Sequence, residues 1–159
     1  MKSSHPTGLH FHRRNPHPDK ERHGDCVTRA IVLGTGRPYQ EIWGMITAKK
    51  RWYDGCRATA NGGCPEHIGR AILDLYGWKY VRTPHGVFQA DSMPGICIAS
   101  QASHWVLVAD GSIWDTWDSR GSRRKKLTGV YVPRWGASWL RVADWVQEAH
   151  DRMMLCNAA

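Results

Sequence analysis

The chain has 159 residues, a formal net charge of +8, nine Trp and five Cys. That length suits one domain burying about two-thirds of its unfolded surface and leaves no room for two independent ones. No stretch approaches the ~20 apolar residues that cross a bilayer, the N-terminus lacks a secretory apolar core, and five sparse cysteines read as free thiols in a reducing, cytoplasmic setting.

Residues 1–24, with Pro6, Pro16, Pro18 and five histidines, predict an irregular, extended arm. A single domain is expected over 25–159. A first helix is predicted over 26–34, stopping at Gly34/Gly36, and a second begins near Pro38 at an N1-type proline. The second carries Tyr39, Ile42, Trp43 and Ile46 on one face. Residues 52–63 read as a loop. Pro65 then opens a third helix through Ile68, Ile72, Leu73 and Leu75, closed by Gly77. Strands follow at 79–81 and 96–100, then a hairpin, then 130–132. Residues 137–155 read as a last amphipathic helix with Trp139, Leu140, Val142, Ala143, Val146 and Ala149 as its apolar stripe. Helices first and an antiparallel sheet after is an α+β order. The Trp residues follow no fixed period, so they belong to one aromatic-rich core or to a Trp-rich contact surface.

Two segments carry chemistry. Cys26 follows the polar lead-in His23-Gly-Asp25 and falls in the first turn of the first helix, where unpaired N–H groups and the helix dipole favour the thiolate. The stretch 103–117 reads as a hairpin turning at Asp110-Gly111, a strong two-residue turn signal that fixes register. If Ala109 faces Ser112, then His104 and Asp115 are diagonal neighbours on one face, with Cα atoms about 7–8 Å apart. Asp118 falls on the opposite face and is the alternate acid should a bulge shift the pairing. The residue types fit a Cys–His–Asp hydrolase: the carboxylate fixes the imidazole tautomer, and the imidazole activates the sulfur.

This order of parts resembles papain-like cysteine peptidases, and most closely small uncharacterised members of phage and prophage type. The resemblance rests on residues 24–36, Pro38-Tyr-Gln-Glu41, Leu73-Asp-Leu-Tyr-Gly-Trp-Lys79 and 104–118. It implies a half-helical, half-sheet papain-like fold, with Cys26 as nucleophile, His104 as general base and then acid, and Asp115 as orienting acid. Trp117 falls where a Trp commonly shields that contact from water. The implied activity is hydrolysis of a peptide, isopeptide or peptidoglycan-type amide without metal or cofactor, in a host cytoplasm or a virion. Lys20 occupies the position where the superfamily often has an oxyanion-binding Gln, which leaves Asn15 or His23 as candidate donors beside the Cys26 N–H.

Other readings stand beside this one. The fold can serve as an inert binding or virion component whose terminal segments contact other subunits, and acyl transfer uses the same three residue types. Cys56, Cys64 and His67, with His10 and His12, make the one candidate metal cluster, but Cys-x7-Cys-x2-His is not a zinc-knuckle spacing. Arg120, Arg123, Arg124, Lys125 and Lys126 form a basic loop suited to an acidic polymer, a nucleic acid or an acidic substrate.

Overall fold

The computed structural model of the chain describes residues 10–20, 24–82, 95–109, 111–119 and 127–134. The basic loop from Arg120 to Lys126, His23 and the helix expected over 137–155 lie outside the described residues. The elements in chain order are β1 (His10–Arg13), α1 (Cys26–Thr35), α2 (Tyr39–Asp54), α3 (Glu66–Leu75), β2 (Trp78–Arg82), β3 (Ile96–Gln101), β4 (His104–Ala109), β5 (Ser112–Asp115) and β6 (Leu127–Pro133). Three helices and a six-stranded mixed sheet make the class α+β.

Helix α1 ends where the sequence stops supporting it. Gly36 takes a left-handed φ of 70°, and its N–H donates to the Val32 carbonyl at 2.9 Å. That is the glycine closure which non-glycine residues resist. Helix α2 starts one residue later than Pro38, which is its cap, and runs on through Asp54 before Gly55 stops it. Residues 52–54, expected in a loop, therefore belong to the helix. Their side chains are solvent-facing, with Trp52 85 % exposed, and the Tyr53 ring meets that of His67 edge-on at a centroid distance of 5.5 Å. In α3 the buried residues are Ile68, Gly69, Ile72 and Leu73, whereas Leu75, the last residue of the helix, is 68 % exposed.

The sheet order is β1-β5-β4-β3-β6-β2. All neighbours pair antiparallel except β1 with β5, which run parallel from His10 opposite Ser112 to Arg13 opposite Asp115. The arm is thus not irregular throughout: its residues 10–13 add an edge strand. The hairpin has Ala109 opposite Ser112 and Leu107 opposite Trp114, the register the turn signal sets.

Alternation along β4 divides the core. Trp105 and Leu107 face the helices and join Ile31, Ile42, Ile46 and Ile72 in one cluster. Val106 and Val108 face the other way and pack with Cys97, Ile113, Val130 and Val132. Each fully buried aliphatic side chain contributes about 1.5–3 kcal/mol. Helix α1 lies across β4 as the central contact between the helices and the sheet, which brings the start of α1 to the start of β4.

Candidate active site

Asp25 prepares the helix start. It stands at the α1 cap position yet makes no capping bond. Its carboxylate instead pairs with Arg29 one turn on and accepts from the Tyr39 hydroxyl at 2.6 Å, all three side chains being buried. Nothing acidic therefore occupies the first turn, and the uncapped N–H groups surround Cys26, the first helical residue. The i,i+4 spacing of Asp25 and Arg29 is a readable pairing signal. Tyr39 is too distant in sequence to be attached to it without the fold.

A tight turn through Ala102 and Ser103 delivers His104, with Ser103 held at a φ of 60°. His104 Nε2 and Asp115 Oδ2 are 2.6 Å apart, and both side chains are almost fully buried. The other Asp115 oxygen, Oδ1, accepts the Thr116 backbone N–H at 2.6 Å, so the carboxylate is fixed at both ends. With Nε2 engaged, Nδ1 is the ring nitrogen left for the sulfur. Cys26 and His104 sit close enough for each to shift the other's pKa, and the Trp105 backbone also acts on the thiol.

Electrostatics follow from these contacts. Burial alone would raise the Cys26 pKa. The hydrogen bonds to His104 and the Trp105 backbone, with the charges of His104 and Arg29, outweigh it and hold the thiol below its ordinary 9.0. For His104 burial lowers the pKa, but hydrogen bonds to Asp115 and Cys26 and the charges of both carry it above 6.5. The two shifts widen the pH range over which thiolate and imidazolium coexist. Cys64 and Cys97 go the other way: burial pushes both up to about 12.

Cys26 and His104 border a cleft of about 530 Å³ whose far wall includes Gly62, Gly63, Cys64 and Glu66. That wall is tied to the backbone leading into Cys26. Gly24 and Gly62 form a parallel bridge, and the Gly63 N–H donates to the Gly24 carbonyl at 3.0 Å. Lys50, itself buried, donates from Nζ to the carbonyls of Thr59 at 2.8 Å and Gly63 at 2.6 Å. A Cβ on Gly24 would stand 2.8 Å from the Asn61 carbonyl oxygen, so glycine is needed for this approach. No sequence motif attaches Gly62, Gly63, Lys50 or Glu66 to the site, because their place there depends on which loop the topology lays beside Cys26.

The remaining expected residues are distributed as follows. The Trp117 ring centroid is 5.2 Å from that of His104, tilted 44°, with 41 % of the residue exposed, so it covers the imidazole on the solvent side. Asn15 is not on the cleft wall: its Oδ1 accepts the His17 N–H at 3.0 Å and its carbonyl accepts from Lys20 Nζ at 3.1 Å. Lys20 is likewise engaged within its own loop. Gln101, opposite His104 on β3, does border the cleft, and its buried Oε1 has no hydrogen-bond partner among the described residues. Among the described residues no group of three or more His, Cys, Asp or Glu is arranged to hold a metal ion, and no helix is long and apolar enough to cross a membrane. Comparison with family models, with curated proteins and with solved structures finds no match to the chain.

Proposed function

We propose that the chain is a papain-like thiol hydrolase that cleaves a peptide, isopeptide or peptidoglycan-type amide. The observation that carries this reading is the His104 ring, held by Asp115 through Nε2, bordering the same cleft as Cys26 and lowering the pKa of its thiol. In this reading Cys26 thiolate attacks the amide carbonyl carbon, forming a C–S bond and moving the carbonyl π pair onto oxygen. The Cys26 N–H at the uncapped helix start is the donor best placed for that oxyanion. The intermediate collapses as the C–N bond breaks, and the imidazolium gives its proton to the leaving amine. Neutral His104 then takes a proton from water, which attacks the thioester and frees the acid and the thiolate. Asp115 stabilises the imidazolium at the start of each cycle.

One observation favours a second reading, a papain-like fold used as an inert binding or virion component. Lys20 stands at the usual Gln position, and neither it nor Asn15 borders the cleft. Loss of one oxyanion donor costs about 2.7–4 kcal/mol of transition-state stabilisation. Site-specific iodoacetamide alkylation as a function of pH separates the two. A Cys26 midpoint well below 9.0 that returns to the ordinary range in His104→Ala supports the hydrolase; slow alkylation with an unshifted midpoint refutes it. Cys26→Ala tested in the parent biological context then reports whether the thiol is needed for function. Hydrolysis and transfer differ only in the acceptor, so release of free acid against formation of a new amide distinguishes them.

A further inference from the structure

The charge inside the cleft opposes the charge of the chain. The protein carries +8 overall, yet the described residues bordering the cleft include no Lys or Arg, and Glu66 is the one carboxylate there. Its orientation is set by two hydroxyls from different strands. Oε1 accepts from Tyr131 on β6 at 3.1 Å and from Ser100 on β3 at 3.4 Å, and Ser100 is in turn 2.9 Å from the Thr128 hydroxyl. Hydroxyl donors fix a carboxylate without neutralising it. Among the described residues Glu66 forms no ion pair. The cation that its helix offers at i,i+4 is Arg70, whose guanidinium lies over the Tyr80 ring, 4.7 Å from the centroid. Lys50, behind the same wall, is committed to the Thr59 and Gly63 carbonyls.

A carboxylate in the first turn of α3 also favours that helix dipole. Helix stabilisation, however, does not call for Tyr131 and Ser100 to hold the side chain toward the cleft.

Resting on the hydrolase reading above, we propose that Glu66 is a specificity-determining residue and that the substrate is a peptide carrying a lysine- or arginine-type cation close to the scissile bond. The cation meets the second Glu66 oxygen while the carbonyl reaches Cys26. A cationic substrate also avoids the repulsion that an acidic one would meet at Glu66.

The test uses short peptidyl chloromethyl ketones that alkylate Cys26 after binding in the cleft. Lysine, its neutral near-isostere norleucine, or glutamate is placed at each of the positions preceding the electrophilic carbonyl. Rates are read by mass spectrometry at Cys26 and divided by the iodoacetamide rate of the same variant, which removes any difference in thiolate content. The expected result in the wild type is a lysine-to-norleucine ratio of about five or more at one position, with glutamate slowest, and a ratio that falls as salt is raised. Glu66→Gln, which keeps an oxygen for Tyr131 and Ser100, brings that ratio to near one, and Glu66→Lys inverts it to favour glutamate. A wild-type ratio near one at every position overturns the proposal, and so does a lysine preference that survives in Glu66→Gln. If iodoacetamide itself finds Cys26 inert, the hydrolase reading falls and takes this inference with it, and the two failures are told apart by that control.

Discussion

Asp115→Asn removes one charge from a buried contact without changing its volume, and its consequence can be worked from two distances. The carboxylate serves His104 Nε2–H and the Thr116 N–H, each at 2.6 Å, and more weakly the Thr116 hydroxyl at 3.4 Å. An amide has a single oxygen. If that oxygen stays on Thr116, the NH₂ faces Nε2 and forces the ring proton onto Nδ1, the nitrogen facing the sulfur. If it turns to His104, the Thr116 N–H loses its acceptor at a cost to stability of about 1–3 kcal/mol. In either arrangement a charge-assisted bond becomes a neutral one or is lost, a change of about 1.4 kcal/mol and hence about one pKa unit. The imidazolium exists only below the His104 pKa and the thiolate only above the Cys26 pKa. Lowering the first toward 6.5 and raising the second toward 9.0 narrows their overlap. Iodoacetamide alkylation of Cys26, read peptide by peptide, should therefore shift its midpoint alkaline by about one unit and slow about tenfold below it. Exposed Cys56 serves as the internal reference, while Cys64 and Cys97 stay unmodified near neutrality. An Asp115→Asn profile superimposable on that of the wild type would refute the claim that this carboxylate sustains the ion pair.

The same contact gives stability a pH dependence. Because folding raises the His104 pKa, its contribution is full below 6.5 and disappears as pH rises through the folded value, so chemical denaturation should show the wild-type advantage over Asp115→Asn shrinking along that limb. Gly69→Ala places a methyl 2.7 Å from a Trp105 ring carbon and 2.9 Å from a Val27 methyl, the residues beside His104 and Cys26. Overpacking of about 1–3 kcal/mol is expected, with a Cys26 midpoint moved toward 9.0; unchanged urea and alkylation curves would contradict it. Lys50→Met deprives two carbonyls of their donor and should cost about 1–3 kcal/mol in denaturant titration, with peptidyl probes slowed more than iodoacetamide because the glycine wall loosens. Tyr39→Phe leaves Asp25 without its hydroxyl donor and should lower the urea midpoint by an equivalent of about 1–2 kcal/mol.

The parts of this molecule legible in the sequence are those set by local chemistry. Gly36 and Gly77 close helices where a left-handed residue is needed, and the Asp110-Gly111 signal sets the hairpin register that puts His104 and Asp115 on one face. Strand β1 was not legible. His10-Phe-His-Arg13 lacks an apolar alternation, and its pairing partner lies in the hairpin at the other end of the sheet. The overrun of α2 is not legible in the sequence either, since Trp52 and Tyr53 stand largely in solvent and add no apolar stripe to the helix. Asn15 is a candidate only because Lys20 stands where the resembled superfamily often has Gln, and no spacing fixes which way that loop turns. Lys20, with a φ of 57°, folds back onto Asn15, and both are drawn into contacts of their own. Glu66 and Gln101 belong to no motif; they reach the cleft because β3, β6 and α3 converge there.

Strand β1 has a protective consequence. Without it, β5 would end the sheet, and its bare N–H and C=O groups would be a template for any extended chain. On the proposed hydrolase reading, peptide substrates would bring such chains to this surface. A foreign strand added at β5 would pull on the backbone that carries Asp115, whose carbonyl already receives the Arg14 N–H at 2.7 Å. The border that β1 offers in its place is four residues long and carries two histidines and an arginine, a poor seed for self-association.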